Sequence, residues 1–183
     1  MNNEIYIIED FLSKEECVFI LNKCKEELTL SKAGVGNGNE HERKSSVGWI
    51  YELGELNEKL KNVLRTKYDF DGLEITGLGP FQFTEYKIGE YFAWHTDRDS
   101  STYVYRSRFV STVIQLNDDY TGGVLEIKDS KGNLIPINHK MGNLYIFNSN
   151  LRHRVTPVEN GIRYSLVNWI STVRTDPSKQ NII

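Results

Sequence analysis

With 183 residues, the chain is long enough for one domain with a sizeable core and too short for two. A hydrophobic share of 39% and a charged share of 26% exclude a disordered chain and also spanning helices, which need about 18 apolar residues in a row. Lysine plus arginine number 22 against 25 acidic residues, a net charge of −3, so no global field attracts a polyanion and nucleic acid is set aside as a default partner, as is a membrane.

The first strand is expected at Ile5 to Ile8. Ser13, with Glu16 three residues on, forms a capping box, because each side chain can satisfy a backbone donor exposed at a helix start. The helix it opens runs to about Leu28, with Cys17, Ile20, Leu21, Cys24 and Leu28 on one buried stripe and Lys14, Glu15, Lys25 and Glu26 on the solvated face. Cys17 and Cys24 fall two turns apart, about 10.5 Å of rise, too far for a disulfide. Two buried thiols and no secretory or transit pattern lead to the expectation of a reducing cytoplasm.

From Ser31 to Gly48 the pattern breaks around Gly34, Gly36 and Gly38, and a long mobile loop is expected. A second amphipathic helix follows at about Leu56 to Lys67, turning Leu56, Leu60, Val63 and Leu64 inward. From Leu73 the period becomes two: Phe81 to Tyr86, Phe109 to Leu116, Val124 to Ile127, Leu134 to Ile137, Asn143 to Phe147 and Tyr164 to Ile170 read as strands separated by Gly and Asn turns. Six or more short strands so spaced predict a mainly β jelly roll with the N-terminal helices packed on one face. The expected organisation is a single domain over residues 1–183, with a helical layer at roughly 10–70 and a β core at roughly 73–172.

Chemistry gathers at three points. The strand Tyr91 to His95 runs into His95-Thr96-Asp97, and side chains two apart on a strand share a side, so one imidazole and one carboxylate can reach a common ion. His153 follows the apolar strand Leu144 to Phe147, and strands distant in sequence face each other across a jelly roll. Two histidines and one carboxylate form a facial triad suited to Fe(II), although the same ligands suit zinc. Arg163 begins the strand after the turn Glu159-Asn160-Gly161. A guanidinium carried into the barrel is costly unless an anion meets it, and its planar fork suits a carboxylate, as a dicarboxylate co-substrate would offer. His41 and His139 are expected at the surface, and Thr156 and Ser165 fit ordinary polar strand positions.

Taken together, Tyr86 and Gly89 ahead of His95-x-Asp97, then Leu116-Asn117-Asp118-Asp119-Tyr120-x-Gly122-Gly123-x-Leu125, then His153-x-Val155-x-Pro157-Val158-x-x-Gly161-x-Arg163-Tyr164, resemble the 2-oxoglutarate- and Fe(II)-dependent oxygenases of the prolyl 4-hydroxylase type. The resemblance covers roughly residues 5–172. It implies a double-stranded β-helix in which His95, Asp97 and His153 bind Fe(II) and Arg163 clamps the distal carboxylate of 2-oxoglutarate. By the same resemblance Tyr86 lies against the co-substrate, Trp169 lines the pocket wall, and Gln115 stands where relatives carry a second carboxylate-binding tyrosine, still able to donate from its amide. Val124 stands where an acidic residue commonly follows the double glycine.

The implied activity is hydroxylation of an unactivated C–H bond, with 2-oxoglutarate converted to succinate and carbon dioxide, dioxygen as oxidant and ascorbate as a reductant. A prolyl residue in a peptide or protein is the expected substrate, and a free amino acid, another small molecule or a nucleic acid base is the alternative. Gly34 to Ser46 and Arg98 to Ser107, the latter with Arg98, Tyr103, Tyr105 and Arg106 and followed by Arg108, are candidate flaps over the metal. A non-enzymatic jelly-roll binding module would have no reason to keep His95, Asp97, His153 and Arg163 together. Repair oxygenases usually carry a second arginine where this chain has Trp169.

Overall fold

The computed structural model describes residues 4–33, 42–67, 73–98, 108–135 and 137–174. In chain order the elements are β1 (Ile5–Ile8), α1 (Lys14–Glu27), β2 (Ser31–Lys32), β3 (Arg43–Lys44), β4 (Ser46–Ile50), α2 (Glu55–Lys67), β5 (Leu73–Leu78) and β6 (Phe81–Tyr86). They continue with β7 (Tyr91–His95), β8 (Arg108–Gln115), β9 (Thr121–Gly122), β10 (Leu125–Lys128), β11 (Leu134–Ile135), β12 (Leu144–Asn148), β13 (His153–Val155), β14 (Val158–Asn160) and β15 (Arg163–Arg174).

The helix start follows the expected chemistry. Ser13 accepts from the Glu16 backbone N–H at 3.2 Å, while Glu16 returns an acceptor to the Ser13 N–H at 2.7 Å. Cys17 and Cys24 are fully buried and free, and burial pushes their thiols up to about 11 and about 12. α2 begins at Glu55, one residue before the expected start, with Glu55 and Glu58 in the first turn where the helix dipole favours anions.

The larger sheet has the order β1-β12-β8-β15-β6-β4-β2, and β5 takes over from β6 along the second half of β15. The smaller sheet has the order β11-β10-β13-β7-β3, and β14 pairs with β9 apart from both. All named strand pairs are antiparallel. Alternation divides the larger sheet into two faces. Phe81, Phe83, Ile114, Ile146, Leu166 and Ile170 form one core with Cys17, Ile20, Leu60 and Leu64 of the two helices. Val113, Tyr145 and Phe147 point the other way, into a second core with Leu125 and Ile127 of the smaller sheet. Each such fully buried side chain contributes about 1.5–3 kcal/mol of hydrophobic stabilisation, so the two cores fix which face of β8, β12 and β15 looks between the sheets. The helices therefore cover the outer face, and the site lies on the inner one.

Two expectations change. The segment read as one loop from Ser31 to Gly48 contains β2, β3 and the start of β4, and the N-terminal third contributes strands to both sheets in addition to helices. β4 is held by register pairing with β6, Val47 opposite Thr84 and Trp49 opposite Gln82, a partnership made across the sequence and invisible to local glycine content. Residues 34–41 and 99–107, which hold most of both candidate flaps together with His41, Tyr103, Tyr105 and Arg106, lie outside the described residues.

The double glycine matters for what stands behind it. Gly122 and Gly123 have φ of 68° and 56°, in the left-handed region that favours glycine. A Cβ on Gly123 would lie 2.9 Å from Val158 Cγ2 and 3.2 Å from Arg163 Cδ. The turn thus packs directly on the arginine stem, and Val124 in the following position leaves it intact. Among the described residues no helix is long and apolar enough to cross a membrane.

Candidate active site

His95 ends β7 and His153 begins β13, and the two are register partners across that strand pair. Each ring is oriented by the carbonyl two residues before it: His95 Nδ1 lies 2.8 Å from the Ala93 carbonyl, and His153 Nδ1 lies 2.9 Å from the Leu151 carbonyl. A carbonyl only accepts, so both Nδ1 atoms carry the proton and both Nε2 lone pairs are left for a ligand. Phe92 stacks on His95 with centroids 3.4 Å apart, and Phe147 meets His153 edge-on at 4.8 Å, which fixes the ring planes.

Asp97 sits just past the end of β7. Its backbone N–H donates to the Ser149 carbonyl at 3.0 Å, and its Oδ2 accepts from the Ser111 hydroxyl at 2.7 Å. The carboxylate lies 3.6 Å from His95 Nε2 and 3.4 Å from His153 Nε2. These separations exceed ordinary hydrogen bonds of about 2.7–3.2 Å, and the three ligand atoms all lie within 4.8 Å of one another. They leave room for an ion at bond lengths of about 2.0–2.2 Å from each.

Charge follows the geometry. Burial pushes the Asp97 carboxyl up, but His153 and His95 outweigh it and hold it well below the usual carboxylate range. Burial pushes the His153 ring down, yet Asp97 prevails and raises it, whereas His95, buried beside His153, ends below its ordinary value. The cluster is a fixed anion facing two neutral-capable imidazoles, a donor set suited to a divalent first-row cation.

Arg163 is 1% exposed and points into the same cavity, of about 770 Å³, that the triad lines. Its Nη1 donates to Ser165 Oγ at 2.9 Å, its Cζ stands 5.5 Å from the Tyr86 ring centroid, and its buried Nε has no partner. Among the described residues no carboxylate pairs with it. A buried guanidinium without an anion carries a large desolvation cost, and a ligand carboxylate would complete it. The residues present therefore fit both a divalent metal and an anionic co-substrate.

The expected residues meet this cavity unequally. Tyr86, His95, Asp97, His153, Arg163 and Trp169 line it. Ser165, first read as an ordinary strand position, orients Arg163, whereas Thr156 accepts from the Val124 N–H at 2.9 Å and serves the turn. Gln115 departs from expectation. Its Nε2 donates to the Asn117 carbonyl at 2.9 Å and the Tyr164 carbonyl at 3.0 Å, so both amide protons are committed to backbone and none remains for a co-substrate. His139 is half-buried rather than at the surface, stacked on Tyr120 with centroids 5.4 Å apart.

Three residues were missed. The buried Tyr120 hydroxyl has no partner and neighbours the Arg163 guanidinium; burial pushes its pKa up against the downward pull of that charge. Ser111 anchors Asp97. Trp49 lines the cavity and meets Trp169 at 6.0 Å. Tyr120 stands inside the motif ending in the double glycine, and Ser111 shares the inner face of β8 with Val113, so both carried a positional signal.

The comparisons agree with this arrangement. The family model described as the 2OG-Fe(II) oxygenase superfamily matches residues 81–171. A PKHD-type hydroxylase of Synechococcus sp. (strain JA-2-3B'a(2-13)) is 31% identical over 106 residues, covering 54% of this chain and 45% of that protein, so the match spans less than half of the relative's length. A PKHD-type hydroxylase of Idiomarina loihiensis is 23% identical over 164 residues, 82% of this chain and 75% of that one. Among solved structures, a Pseudomonas putida prolyl-4-hydroxylase shares the fold with a TM-score of 0.71 at 22% identity, covering 92% of each chain. A prolyl hydroxylase of Trichoplax adhaerens, in complex with a hypoxia inducible factor peptide fragment, gives 0.77 at 20% identity over 92% of this chain and 84% of that one. With its triad, its arginine and its double-stranded β-helix, the chain carries over residues 81–171 the pattern of the 2OG-Fe(II) oxygenase superfamily.

Proposed function

We propose that this chain is an Fe(II)- and 2-oxoglutarate-dependent dioxygenase that hydroxylates an unactivated C–H bond, with a prolyl residue of a peptide or protein as its substrate. The observation that carries the reading is the convergence of His95, Asp97 and His153 in one cavity with a buried arginine that meets no carboxylate among the described residues. In this reading the two Nε2 atoms and the Asp97 carboxylate would hold the iron. When bound, the iron with 2-oxoglutarate and dioxygen supplies the oxidation, one oxygen atom entering the substrate as hydroxyl and the other entering succinate as carbon dioxide leaves.

The chain's own groups do the positioning. In this reading Arg163, oriented by Ser165, would receive the distal carboxylate, and the Tyr120 hydroxyl, which neighbours the guanidinium, would donate to the same group. Tyr86 flanks the guanidinium, and Trp169 and Val167 provide an apolar wall that keeps water from the reacting carbon. The peptide-bound Trichoplax neighbour supports a peptide substrate. The free, buried Cys17 and Cys24 fit a protein working as one oxygenase domain in a reducing cytoplasm.

Anaerobic addition of Fe(II) and 2-oxoglutarate is expected to give the weak visible charge-transfer band of the chelate, and admission of air is expected to release succinate. Proline-containing peptides are expected to stimulate that release above free amino acids. Identical behaviour of wild type and Asp97→Ala in both assays would sink the reading.

A further inference from the structure

The mouth of the cavity carries three arginines that the proposed metal and co-substrate do not use. Arg108, on the larger sheet, holds its guanidinium 3.8 Å from the Trp169 ring centroid. Arg43, on the smaller sheet, stands 4.5 Å over Phe92, with Nε donating to Ser45 Oγ at 2.9 Å and Nη2 to Gln82 Oε1 at 3.1 Å. Arg98, immediately after Asp97, lies 5.4 Å from the Phe109 centroid. Rings and neutral acceptors position these groups. Among the described residues no carboxylate lies within 4.0 Å of any of the three.

Charge balance separates this rim from the deep centre. Fe(II) with Asp97, and Arg163 with the two carboxylates of 2-oxoglutarate, would together be neutral. Of the remaining cavity wall, among the described residues, Glu42 is the acidic member against Arg43, Arg98 and Arg108, which leaves two positive charges there on a chain whose net charge is −3. A local excess opposite in sign to the whole chain raises the local concentration of anions, and guanidiniums already stacked on aromatic faces lose little freedom on binding.

We propose that this rim selects an acidic peptide, one with Asp or Glu beside the residue to be hydroxylated, whose side-chain carboxylate is received by Arg43, Arg98 and Arg108 between Trp49 and Trp169. The proposal rests on the oxygenase reading of the same cavity and adds the charge of the substrate to it. Arg108 and Arg43 line the mouth from different sheets, so the carboxylate would be received between them.

The test measures binding apart from turnover. Wild-type protein loaded anaerobically with Mn(II) and 2-oxoglutarate is titrated with three peptides of equal length in which a central proline is flanked by Glu, Gln or Lys, followed by tryptophan fluorescence and calorimetry. The Glu peptide is expected to bind about tenfold or more tightly than the Lys peptide, the margin shrinking between about 50 mM and about 500 mM salt. Arg43→Gln and Arg108→Gln are expected to erase most of the margin, chiefly by weakening the Glu peptide, and Arg108→Lys to keep most of it. Equal affinity for the three peptides, no binding of any of them, or tighter binding of a thymidine oligonucleotide than of the Glu peptide would overturn the proposal. Equal weakening of all three by Arg108→Gln would do the same, by showing a merely structural role. The charge-transfer band of separately prepared, Fe(II)-loaded protein is the control: a band without a charge preference overturns the rim alone, and absence of the band overturns the oxygenase reading beneath it.

Discussion

The Ser111 hydroxyl donates to Asp97 Oδ2 at 2.7 Å while standing 2.8 Å from the Ser149 hydroxyl. Ser111 belongs to β8 of the larger sheet, and Asp97 follows β7 of the smaller one. The carboxylate of the triad is therefore anchored across the gap between the sheets, whereas each histidine is oriented by a carbonyl two residues before it in the chain. Ser111 is fully buried, so this is a charge-assisted bond in a dry place, of the strong kind. Ser111→Ala is expected to leave the fold intact and to weaken Mn(II) or Fe(II) binding by about 10- to 100-fold. Calorimetric titration of the metal checks this, and unchanged affinity would show that Asp97 needs no support from the opposite sheet.

Arg163 makes a paired prediction. In the absence of co-substrate its guanidinium is buried, with one donor on Ser165 and Nε without a partner. Removing a buried, uncompensated charge in favour of an apolar side chain of similar length is often neutral or stabilising. Arg163→Met is therefore expected to melt no lower than wild type when both are free of ligand, while 2-oxoglutarate affinity falls by about 2–4 kcal/mol. Thermal melts with and without 2-oxoglutarate report both effects: wild type gains stability from the co-substrate and the variant does not. A variant that melts far lower without ligand would mean that the arginine is structural.

Tyr120 and Gln115 mark the limit of what the sequence disclosed. The capping box at Ser13, the inward stripes of α1 and α2, the period-two strands, the triad and Arg163 were all legible, because each depends on local spacing or on a motif that keeps its own geometry. Gln115 was not legible. The resemblance suggested a ligand there, but the turn after β8 brings the Asn117 carbonyl, and β15 the Tyr164 carbonyl, onto its amide, and only the closed sheet shows that competition. β4 was hidden for the same reason, since its partner β6 lies more than thirty residues away. The hydroxyl left beside the guanidinium is that of Tyr120.

Tyr120→Phe removes a buried hydroxyl that meets no protein partner at full hydrogen-bond geometry and neighbours the Arg163 guanidinium, so the loss costs little. Without ligand the variant is expected to be as stable as wild type or slightly more so. Its affinity for 2-oxoglutarate is expected to fall by about 0.5–1.5 kcal/mol, the net value of a single hydrogen bond. The charge-transfer band titrated with 2-oxoglutarate measures that affinity, and equal midpoints for variant and wild type would remove Tyr120 from the co-substrate site.

The N-terminal cap predicts a dependence on pH that is independent of the catalytic centre. The Ser13 N–H on the Glu16 carboxylate, aided by Lys59 at 3.0 Å, holds the Glu16 pKa below its ordinary value in the folded protein. A folded-state value below the unfolded one gives stability that is present above the unfolded pKa and is lost as pH falls through the folded one. Glu16 is about half exposed, so solvent screening keeps the effect to a few tenths of a kcal/mol. Glu16→Gln retains an acceptor for the Ser13 N–H and gives up the charge. The wild type is therefore expected to melt slightly above the variant at neutral pH, and the gap is expected to close as the pH drops through the acidic range. A gap of constant size down to pH values where carboxylates are protonated would assign it to helix propensity or packing, and would remove the ionised capping box from the forces holding α1 against the larger sheet.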